Sequence, residues 1–463
     1  MTVQVAPELS PITANSDTIV PQTSAEKRSA YLAQLLALGQ SIPTEFPEPI
    51  ARLQSQAAAR IPELAIPSTR HEDWRFADLS PLLHLQLQAT ANSCSFTLGQ
   101  LEALLIPEAP HRLVFVDGLY VSSLSATEGL PTGITIGNAS SLDPDRAAAV
   151  LAQQPGSDEV FTTLNTASFH DIAWIHLAAD TVLDAPVQLL WISTLDRTTP
   201  IVSCPRALVL ADRHSSLKLV EDFVTLGQGC TNGLAAGTYF SNSVTEIVLG
   251  EGAAVHHSRI QRDGTGAFHI GKTAVSQGRD SRYTNVAVHL GAHFCRHNLE
   301  VVHNGEQADT QLQGLALINQ EQLVDTHSSI WYRHPHCSSD QLYKAIVADR
   351  GRSVFNGRVD VPQAAQLTNA QQLNRNLLLS PKARVDTKPQ LEIVADNVKC
   401  SHGATVSQLE DEEIFYLQSR GIDRLSAQNL LLDGFAADIL RKLPFDSLRQ
   451  SLSRCVACRT MDV

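Results

Sequence analysis

The sequence predicts a mainly β protein whose core is a solenoid of strands, flanked by helical N-terminal and C-terminal domains. From about Ile172 to Val398, short runs with β-type alternation follow one another without any long helical pattern. Between Leu290 and Asp349, turn-then-strand units recur at intervals of about 15 residues, which is typical of a solenoid. A β-sandwich would need obvious two-residue hairpin turns, and these are scarce after residue 170.

Repeated phrases and changes in composition divide the chain into regions. Similar phrases within the strand region each carry an Asp-Thr pair, at Asp309-Thr310, Asp325-Thr326 and Asp386-Thr387. Such self-similarity supports a repeat built of strands. Four regions are predicted: a flexible N-terminus (1–22), a mostly helical domain (23–165), the solenoid core (166–400) and a C-terminal helical domain (401–463).

The N-terminal domain contains helix and turn signals in order. Apolar spacing predicts helices over Ala25–Leu38 and Glu48–Arg60, and a short helix over residues 143–154. Trp74 lies in a charged segment, and we expect it to anchor that segment on a core while the charges stay in water. The Asp-Gly pair at 117–118, between two strand-like runs, predicts a hairpin turn.

The C-terminal tail has helical periodicity. A capping signal from Thr405 to Glu410 predicts a helix that ends before Gly421, and Ser426 begins the next. The pattern then continues towards the C-terminus with a break at Pro444. Short amphipathic helices cannot bury both faces alone, so we expect them to dock on the solenoid end or on another protein.

Composition excludes several classes of protein. The net charge is −13, the pI is near 5.7 and the basic residues are scattered, so no nucleic-acid footprint is present. No run approaches the ~18 apolar residues of a membrane span, and the N-terminus lacks the features of a secretory signal. Eight cysteines without such a signal favour reduced thiols and a cytoplasmic location.

The sequence also lacks common catalytic motifs. It contains no Gly-x-Ser-x-Gly and no His-Glu-x-x-His. Four groups of cysteine and histidine remain as candidates for metal chemistry. They are His293, Cys295 and His297; His334, His336 and Cys337; Cys400 and His402; and the Cys-x-x-Cys pair Cys455 and Cys458.

For three of these groups a structural explanation is favoured, since histidines occupy polar turns and cysteines fill cores. Cys455 and Cys458 lack the second pair that a structural zinc site needs. Cys400 and His402 are more informative, because side chains two positions apart on a strand point to one face, about 6–7 Å apart. Two ligands are fewer than a closed metal site needs, so another group must complete it.

Five pieces between residues 325 and 422 are the most distinctive of this part of the chain: Pro335–Ser339, Val354–Gly357, Thr368–Leu379, Lys382–Leu391 and Lys399–Thr405. With these pieces, the region closely resembles the SufB/SufD family of the SUF iron-sulfur cluster assembly machinery, and its SufD members in particular. Residues 69–74 are also similar to the N-terminal signature of that family.

This resemblance implies a right-handed parallel β-helix and a non-enzymatic scaffold that joins the paralogue SufB and two copies of the ATPase SufC. It implies that a cluster is built at the SufB–SufD interface, with His402 implicated and Cys400 its motif neighbour. His336 and Cys337 are weaker candidates. The helices after His402 match the ATPase-docking domain, for which the candidate contacts are Phe415, Leu417, Arg420 and Gly421.

The resemblance also bears on cofactors and oligomeric state. No tightly bound cofactor is expected in isolation, only transient iron or an iron-sulfur cluster at the interface with SufB. Without SufB, the strand edges of a β-helix allow a homodimer. Two alternatives stay open: a secreted-type β-helix polysaccharide lyase, and a purely structural interaction protein without a metal role.

Overall fold

A computed structural model describes residues 23–90, 96–195, 199–226 and 237–460, and the predicted flexible N-terminus lies outside these ranges. Its core is a stack of parallel strands in two facing sheets, with helices before and after it. The predicted fold class, a mainly β parallel solenoid flanked by helices, is confirmed. The structure does not describe the side chains from residue 457 onward, and the side chain of Cys458 is one of these.

Twenty-one strands are found in the described residues, and most of those in the core are ten residues long. They are β1 (Gln88–Ala89), β2 (His111–Val116), β3 (Leu119–Tyr120), β4 (Ile134–Gly137), β5 (Ala173–Leu177), β6 (Val187–Ser193), β7 (Ile201–Ser203), β8 (Arg206–Ala211), β9 (Ser216–Thr225), β10 (Tyr239–Leu249), β11 (Ala254–Arg262), β12 (Phe268–Gln277), β13 (Arg282–His289), β14 (Phe294–His303), β15 (Asp309–Ile318), β16 (Leu323–Tyr332), β17 (Ser338–Val347), β18 (Arg352–Val361), β19 (Asn369–Leu378), β20 (Arg384–Ile393) and β21 (Lys399–Gln408).

Eight α-helices are found in the same ranges, five before the core strands and three after them. They are α1 (Ser24–Gln40), α2 (Glu48–Arg60), α3 (Leu98–Leu101), α4 (Pro144–Val150), α5 (Val160–Ser168), α6 (Asp411–Gln418), α7 (Arg424–Leu440) and α8 (Asp446–Thr460).

Successive core strands alternate between the two sheets. One sheet stacks β8, β10, β12, β14, β16, β18 and β20, and the other stacks β9, β11, β13, β15, β17, β19 and β21. Asp309 is in register with Ser338, which is in turn in register with Asn369. A full solenoid turn therefore takes about 30 residues, and the predicted unit of about 15 residues is half a turn.

The Asp-Thr phrases are equivalent only in part. Asp325 on β16 and Asp386 on β20 both align with Val354 on β18, so they occupy one ladder position two turns apart. Asp309 instead begins β15 in the other sheet. The phrase at Asp309 therefore resembles the other two by composition and not by position in the fold.

Most of the turns between core strands contain one residue with positive φ. These residues are His214, Gly252, Asp280, Ala292, Gln307, Gln320, His336, Asp349 and Leu367. A single left-handed residue reverses the chain from one sheet to the other with few residues. The recurring turn geometry explains why units of similar length follow one another along the sequence.

The N-terminal region packs beside the solenoid and contributes strands to it. Trp74 is buried as predicted, and the guanidinium of Arg296 lies 3.9 Å from the centre of its ring. β2 pairs with β6 in parallel and turns back through Asp117 and Gly118, both with positive φ, into the predicted hairpin with β3. Helix α5 was not predicted, because six of its nine residues have low intrinsic helix propensity: Val160, Thr162, Thr163, Asn165, Thr166 and Ser168.

The tail begins later than the sequence suggests. Thr405 belongs to β21, paired with Arg375, so the predicted cap from Thr405 is wrong and α6 begins at Asp411. Backbone pairing with β19 outweighs the local capping signal, and the Nδ2 of Asn376 also donates to the carbonyl of Thr405. β21 accordingly extends past residue 400.

The tail helices pack on the side of the solenoid, against the outer face of the β9–β21 sheet. Apolar residues of α7 and α8 form one buried cluster with outward residues of β9, β11, β13, β15 and β17. Helix α7 runs unbroken from an N-cap at Asp423, which accepts from the backbone N–H of Ser426. Among the described residues, no helix combines the length and apolar character that crossing a membrane requires.

Candidate functional site

The C-terminal end of the solenoid is uncovered. β20 pairs only with β18, and β21 only with β19, so each leaves one backbone edge without a strand partner in the described residues. An unpaired edge ten residues long is a template for another strand. Apolar side chains are exposed beside these edges, among them Val394 and Val406. We call this surface, formed by β20 and β21, the open end.

Cys400 and His402 lie on the inward face of β21 at the open end. They align with Ala370 and Gln372, which are both buried inside the solenoid. Cys400 is half-buried and contacts the apolar core, and this burial raises the pKa of its thiol. His402 is exposed, because no further strand stacks above it.

The structure thus puts the two side chains on one face, in the arrangement that the spacing suggests. It does not complete a metal site within this chain. Across the residues that the structure describes, no three His, Cys, Asp or Glu side chains are grouped so as to hold a metal ion. Any cluster bound at the open end needs ligands from another molecule.

A second exposed surface lies on the tail helices. Phe415 and Tyr416 on α6 are 71% and 58% exposed, while Ile414 on the same helix is buried and α6 packs against α7. Arg420 lies over the Tyr416 ring at 5.2 Å, and Gly421 ends the helical segment with a φ of 86°. Large exposed aromatic side chains of this kind mark interaction surfaces.

A shallow groove of about 430 Å³ lies beside these aromatic residues. It is lined by Glu410, Glu412, Glu413, Tyr416, Leu417, Leu430 and Leu431. The groove has an apolar floor and an acidic rim, because three of its lining residues are glutamates. Of the predicted docking residues, Leu417 lines the groove directly. We call the groove with Phe415 the α6–α7 surface.

Two protein-family models match this chain. The description "SUF system FeS cluster assembly, SufBD core domain" matches residues 194–435, and "SufBD protein N-terminal region" matches residues 26–189. The chain belongs to the SufBD family. The resemblance seen in the sequence is thereby confirmed, and family membership supports a role in SUF iron-sulfur cluster assembly.

Relatives within the SufBD family cover most of the chain. An iron-sulfur cluster assembly SufBD family protein of Synechocystis is 44% identical over 409 residues, 88% of this chain and 90% of the relative. Protein ABCI7, chloroplastic, of Arabidopsis thaliana is 35% identical over 412 residues, 87% and 84% of the two chains. The iron-sulfur cluster assembly protein SufD of Escherichia coli is 33% identical over 390 residues, 84% and 88%. These matches give the polysaccharide-lyase alternative no support.

His336 and Cys337 lie in the solenoid turn before β17 of this SufBD chain, and β19 separates β17 from β21. His336 is exposed and is one of the turn residues with positive φ. The Cys337 thiol is buried, donates to the carbonyl of Gly305 at 3.4 Å and has a raised pKa because of burial. This geometry gives both residues a structural task in the turn.

The group around Cys295 is divided by the structure. Cys295 and His297 point into the solenoid, whereas His293 lies before β14, half-buried against the ring of Phe268. The Cys295 sulfur lies 3.7 Å from the Nδ1 of His289. Burial raises the pKa of Cys295 and lowers the pKa of His297, so both stay neutral in the interior. This pair belongs to β14 and is separated from β20 by two strands of the same sheet.

The Cys-x-x-Cys pair is described only for its first member. Cys455 is buried in the cluster that fixes the tail to the solenoid. The Cys458 side chain lies outside the described residues, so no pairing is assigned.

Sequence reasoning missed two residues that lie beneath the open end. Gln372 lies beneath His402 in the same inward column, and Gln341 lies beneath Gln372. Their positions are one solenoid turn apart, so stepping back from His402 by about 30 residues at a time would have found them. Neither belongs to a motif of cysteine, histidine or acid, which is why pattern analysis passed over them.

Proposed function

We propose that this SufBD chain is a non-catalytic scaffold subunit on which an iron-sulfur cluster is assembled as cargo. The observation that supports this most directly is the position of His402. Its imidazole is exposed on the inward face of an unpaired edge strand, next to the half-buried thiol of Cys400. A ligand at the end of an uncovered solenoid suits a site shared between two chains.

The partner proposed for the open end is the paralogue SufB. The two free backbone edges and the exposed Ile393, Val394 and Val406 favour pairing with a second β-helix. In the absence of SufB, the same features favour a homodimer. In either complex His402 becomes buried at the interface.

In this proposal the cluster site is a half-site. His402 donates an imidazole ligand or positions iron, and SufB contributes thiolate, since imidazole and thiolate together suit iron-sulfur chemistry. Cys400 is the second candidate on this chain. No tightly bound cofactor is proposed for the isolated chain, where half of the ligands are missing.

The ATPase SufC is the partner proposed for the α6–α7 surface. Phe415 and Leu417 offer the apolar contact, Arg420 and Gly421 the end of the helix, and Glu412 and Glu413 a negative rim. A partner with an apolar patch edged by basic side chains fits this surface. A cytoplasm-like compartment remains a prediction from the cysteine content, and one relative bears the name chloroplastic.

The test is reconstitution with purified SufB and SufC under anaerobic conditions, followed by iron and sulfide analysis. His402→Ala should leave the complex assembled, because the side chain is exposed, but should lower the cluster yield. Ser401→Ala is the matched control, since Ser401 is the neighbouring residue on the opposite face of β21. Normal cluster yield with His402→Ala would refute the half-site.

The alternative of a purely structural interaction protein predicts a different outcome. It predicts the same iron and sulfide content whichever of the two residues is changed. A SufB–SufC preparation without this chain provides the baseline. If that baseline equals the yield of the full complex, this chain has no part in assembly.

A further inference from the structure

Inside the open end, polar side chains form one ladder that leads to His402. Gln341 on β17, Gln372 on β19 and His402 on β21 are in register and share the inward face. Gln341 is 0% exposed and Gln372 is 3% exposed, although both carry two hydrogen-bonding groups. Buried amides are normally paired, so the state of each group matters.

The hydrogen bonds of the ladder have a direction. The hydroxyl of Ser328, on the opposite sheet, donates to the Oε1 of Gln341 at 2.9 Å. The Nε2 of Gln372 donates to the same oxygen at 3.5 Å. Gln372 therefore uses its donor group towards the interior. Its Oε1 is buried and accepts from no group in the described residues.

Gly357 leaves the space that the side-chain amide of Gln372 occupies. A Cβ atom at Gly357 would lie 2.2 Å from Nε2 and 2.7 Å from Cδ of Gln372. Only a glycine leaves the amide room to cross the interior. Above Gly357 on the same sheet lies Pro389, whose side chain has no hydrogen-bonding group. The Nε2 of Gln341, below Gln372 in this column, is likewise buried without an acceptor among the described residues, and on the open side of the column His402 on β21 is the neighbour that can donate a hydrogen bond to Gln372.

We propose that Gln372 is a positioning residue for His402: its Oε1 accepts a hydrogen bond from one ring N–H of the imidazole. A neutral imidazole carries one N–H and one lone pair. Fixing the N–H towards Gln372 turns the lone pair of the other nitrogen towards the open end. Metal-binding histidines are commonly oriented by an acceptor of this kind.

This inference rests on the proposed function only for its consequence in cluster assembly. The hydrogen bond itself is a property of the isolated chain and is measurable without iron. The structure contains the acceptor, the space that holds it and the aligned imidazole. The bond forms when the exposed ring of His402 turns down onto the ladder.

The experiment is NMR of the full-length chain labelled with ¹⁵N-histidine, at a pH where the imidazole is neutral. The His402 signals are assigned by their loss in His402→Ala. In the wild-type chain we expect one tautomer to dominate, as shown by well-separated ¹⁵N shifts of its two ring nitrogens. In Gln372→Leu, the two shifts should move towards those of a free imidazole, which samples both tautomers. Gln372→Glu keeps an acceptor oxygen and should restore the single tautomer.

Two further variants separate positioning from a general effect on the fold. Gly357→Ala displaces the amide without removing it and should also equalise the tautomers. Gln371→Leu changes the exposed neighbour on the opposite face and should leave His402 unchanged. If Gln372→Leu does not fold, Gly357→Ala and Gln372→Met give the same comparison.

The outcomes for the inference and for the proposed function are distinguishable. Equal tautomer ratios in wild type and in Gln372→Leu would overturn the inference. A changed ratio together with a cluster yield lowered on the order of tenfold supports both. A changed ratio with an unchanged yield supports the hydrogen bond and shows that assembly does not depend on the orientation of His402, whereas a normal yield with His402→Ala refutes the proposed function.

Discussion

The ammonium group of Lys344 lies 2.6 Å from the Oδ2 of Asp438, which joins the outer face of β17 to helix α7. Lys344 is buried, also donates to the carbonyl of Phe435 at 2.9 Å and lies over the Phe435 ring. The hydrogen bond from Lys344 is the main reason that the pKa of Asp438 is lowered. One buried cation therefore makes three contacts that fix the tail to the solenoid.

The Lys344–Asp438 pair predicts an unequal response to two substitutions. Asp438→Ala leaves a buried ammonium group without its anion and should lower the free energy of unfolding by about 1–3 kcal/mol. Lys344→Met replaces the ammonium group with an apolar side chain of similar length and should cost less. Urea unfolding of both variants measures the difference. A larger loss for Lys344→Met would contradict this account of the tail.

A pair of glycines predicts effects of opposite sign. A Cβ at Gly314, inside the solenoid, would lie 2.2 Å from the ring of Tyr343, so Gly314→Ala should destabilise by about 1–3 kcal/mol. Gly434 is exposed within α7 with open space around its Cα, and Gly434→Ala should stabilise by about 0.5–1 kcal/mol. Thermal or urea unfolding gives both values. Stabilisation by Gly314→Ala would show that the interior is less closely packed than described.

The buried histidine His303 predicts a pH dependence of stability. Burial lowers its pKa from 6.5 to about 3, and its Nε2–H donates to the hydroxyl of Thr310 at 2.8 Å. Between these two pH values the unfolded chain binds a proton at this site that the folded chain excludes. Stability therefore falls as the pH falls through this window, by about 2 kcal/mol from pH 7 to pH 5 for this site.

The variant that tests this is His303→Gln, which keeps a donor for Thr310 and removes the titration. Its free energy of unfolding should fall by about 2 kcal/mol less than that of the wild type between pH 7 and pH 5. The comparison between the two pH values cancels any constant cost of repacking. Parallel curves for the two proteins would show that His303 does not titrate in this way.

The α6–α7 surface predicts a binding defect without a stability defect. Phe415→Ser and Tyr416→Ser remove exposed apolar surface, so unfolding should change by less than about 0.5 kcal/mol. If SufC docks there, its affinity should fall at least tenfold, since buried aromatic anchors carry much of an interface's energy. Leu98→Ser, an exposed apolar residue of α3, is the matched control. Unchanged SufC binding by calorimetry would move the docking site elsewhere.

Local sequence patterns predicted the elements whose conformation depends on neighbouring residues. Apolar–polar alternation within short runs predicted the strands of the solenoid, and the spacing of Cys400 and His402 placed both side chains on one face. The cap at Thr405 was predicted wrongly because long-range pairing with Arg375 decides that backbone. Helix α5 was missed because most of its residues are valine, threonine, asparagine and serine, which have low helix propensity, and its N-cap is the side chain of Glu159.

The candidate site was only partly predictable for a related reason. His402 stands in a recognisable motif, but the partners beneath it come from strands one and two turns earlier. Gln372 is recognised as a positioning residue only from its register with His402 and from the space left by Gly357. Both relationships depend on turn lengths that vary along the solenoid, and a list of motifs contains neither.

The two ends of the solenoid differ, and this sets the form of any assembly. At the first end, the short antiparallel strands β3 and β4 border the two sheets, with two and four residues. At the other, β20 and β21 offer full-length edges. A stack with two adhesive ends would polymerise into filaments, whereas one with a single adhesive end stops at a pair. If two β-helices pair through β20 and β21, as proposed, the short strands β3 and β4 at the first end would stop the stack at two copies.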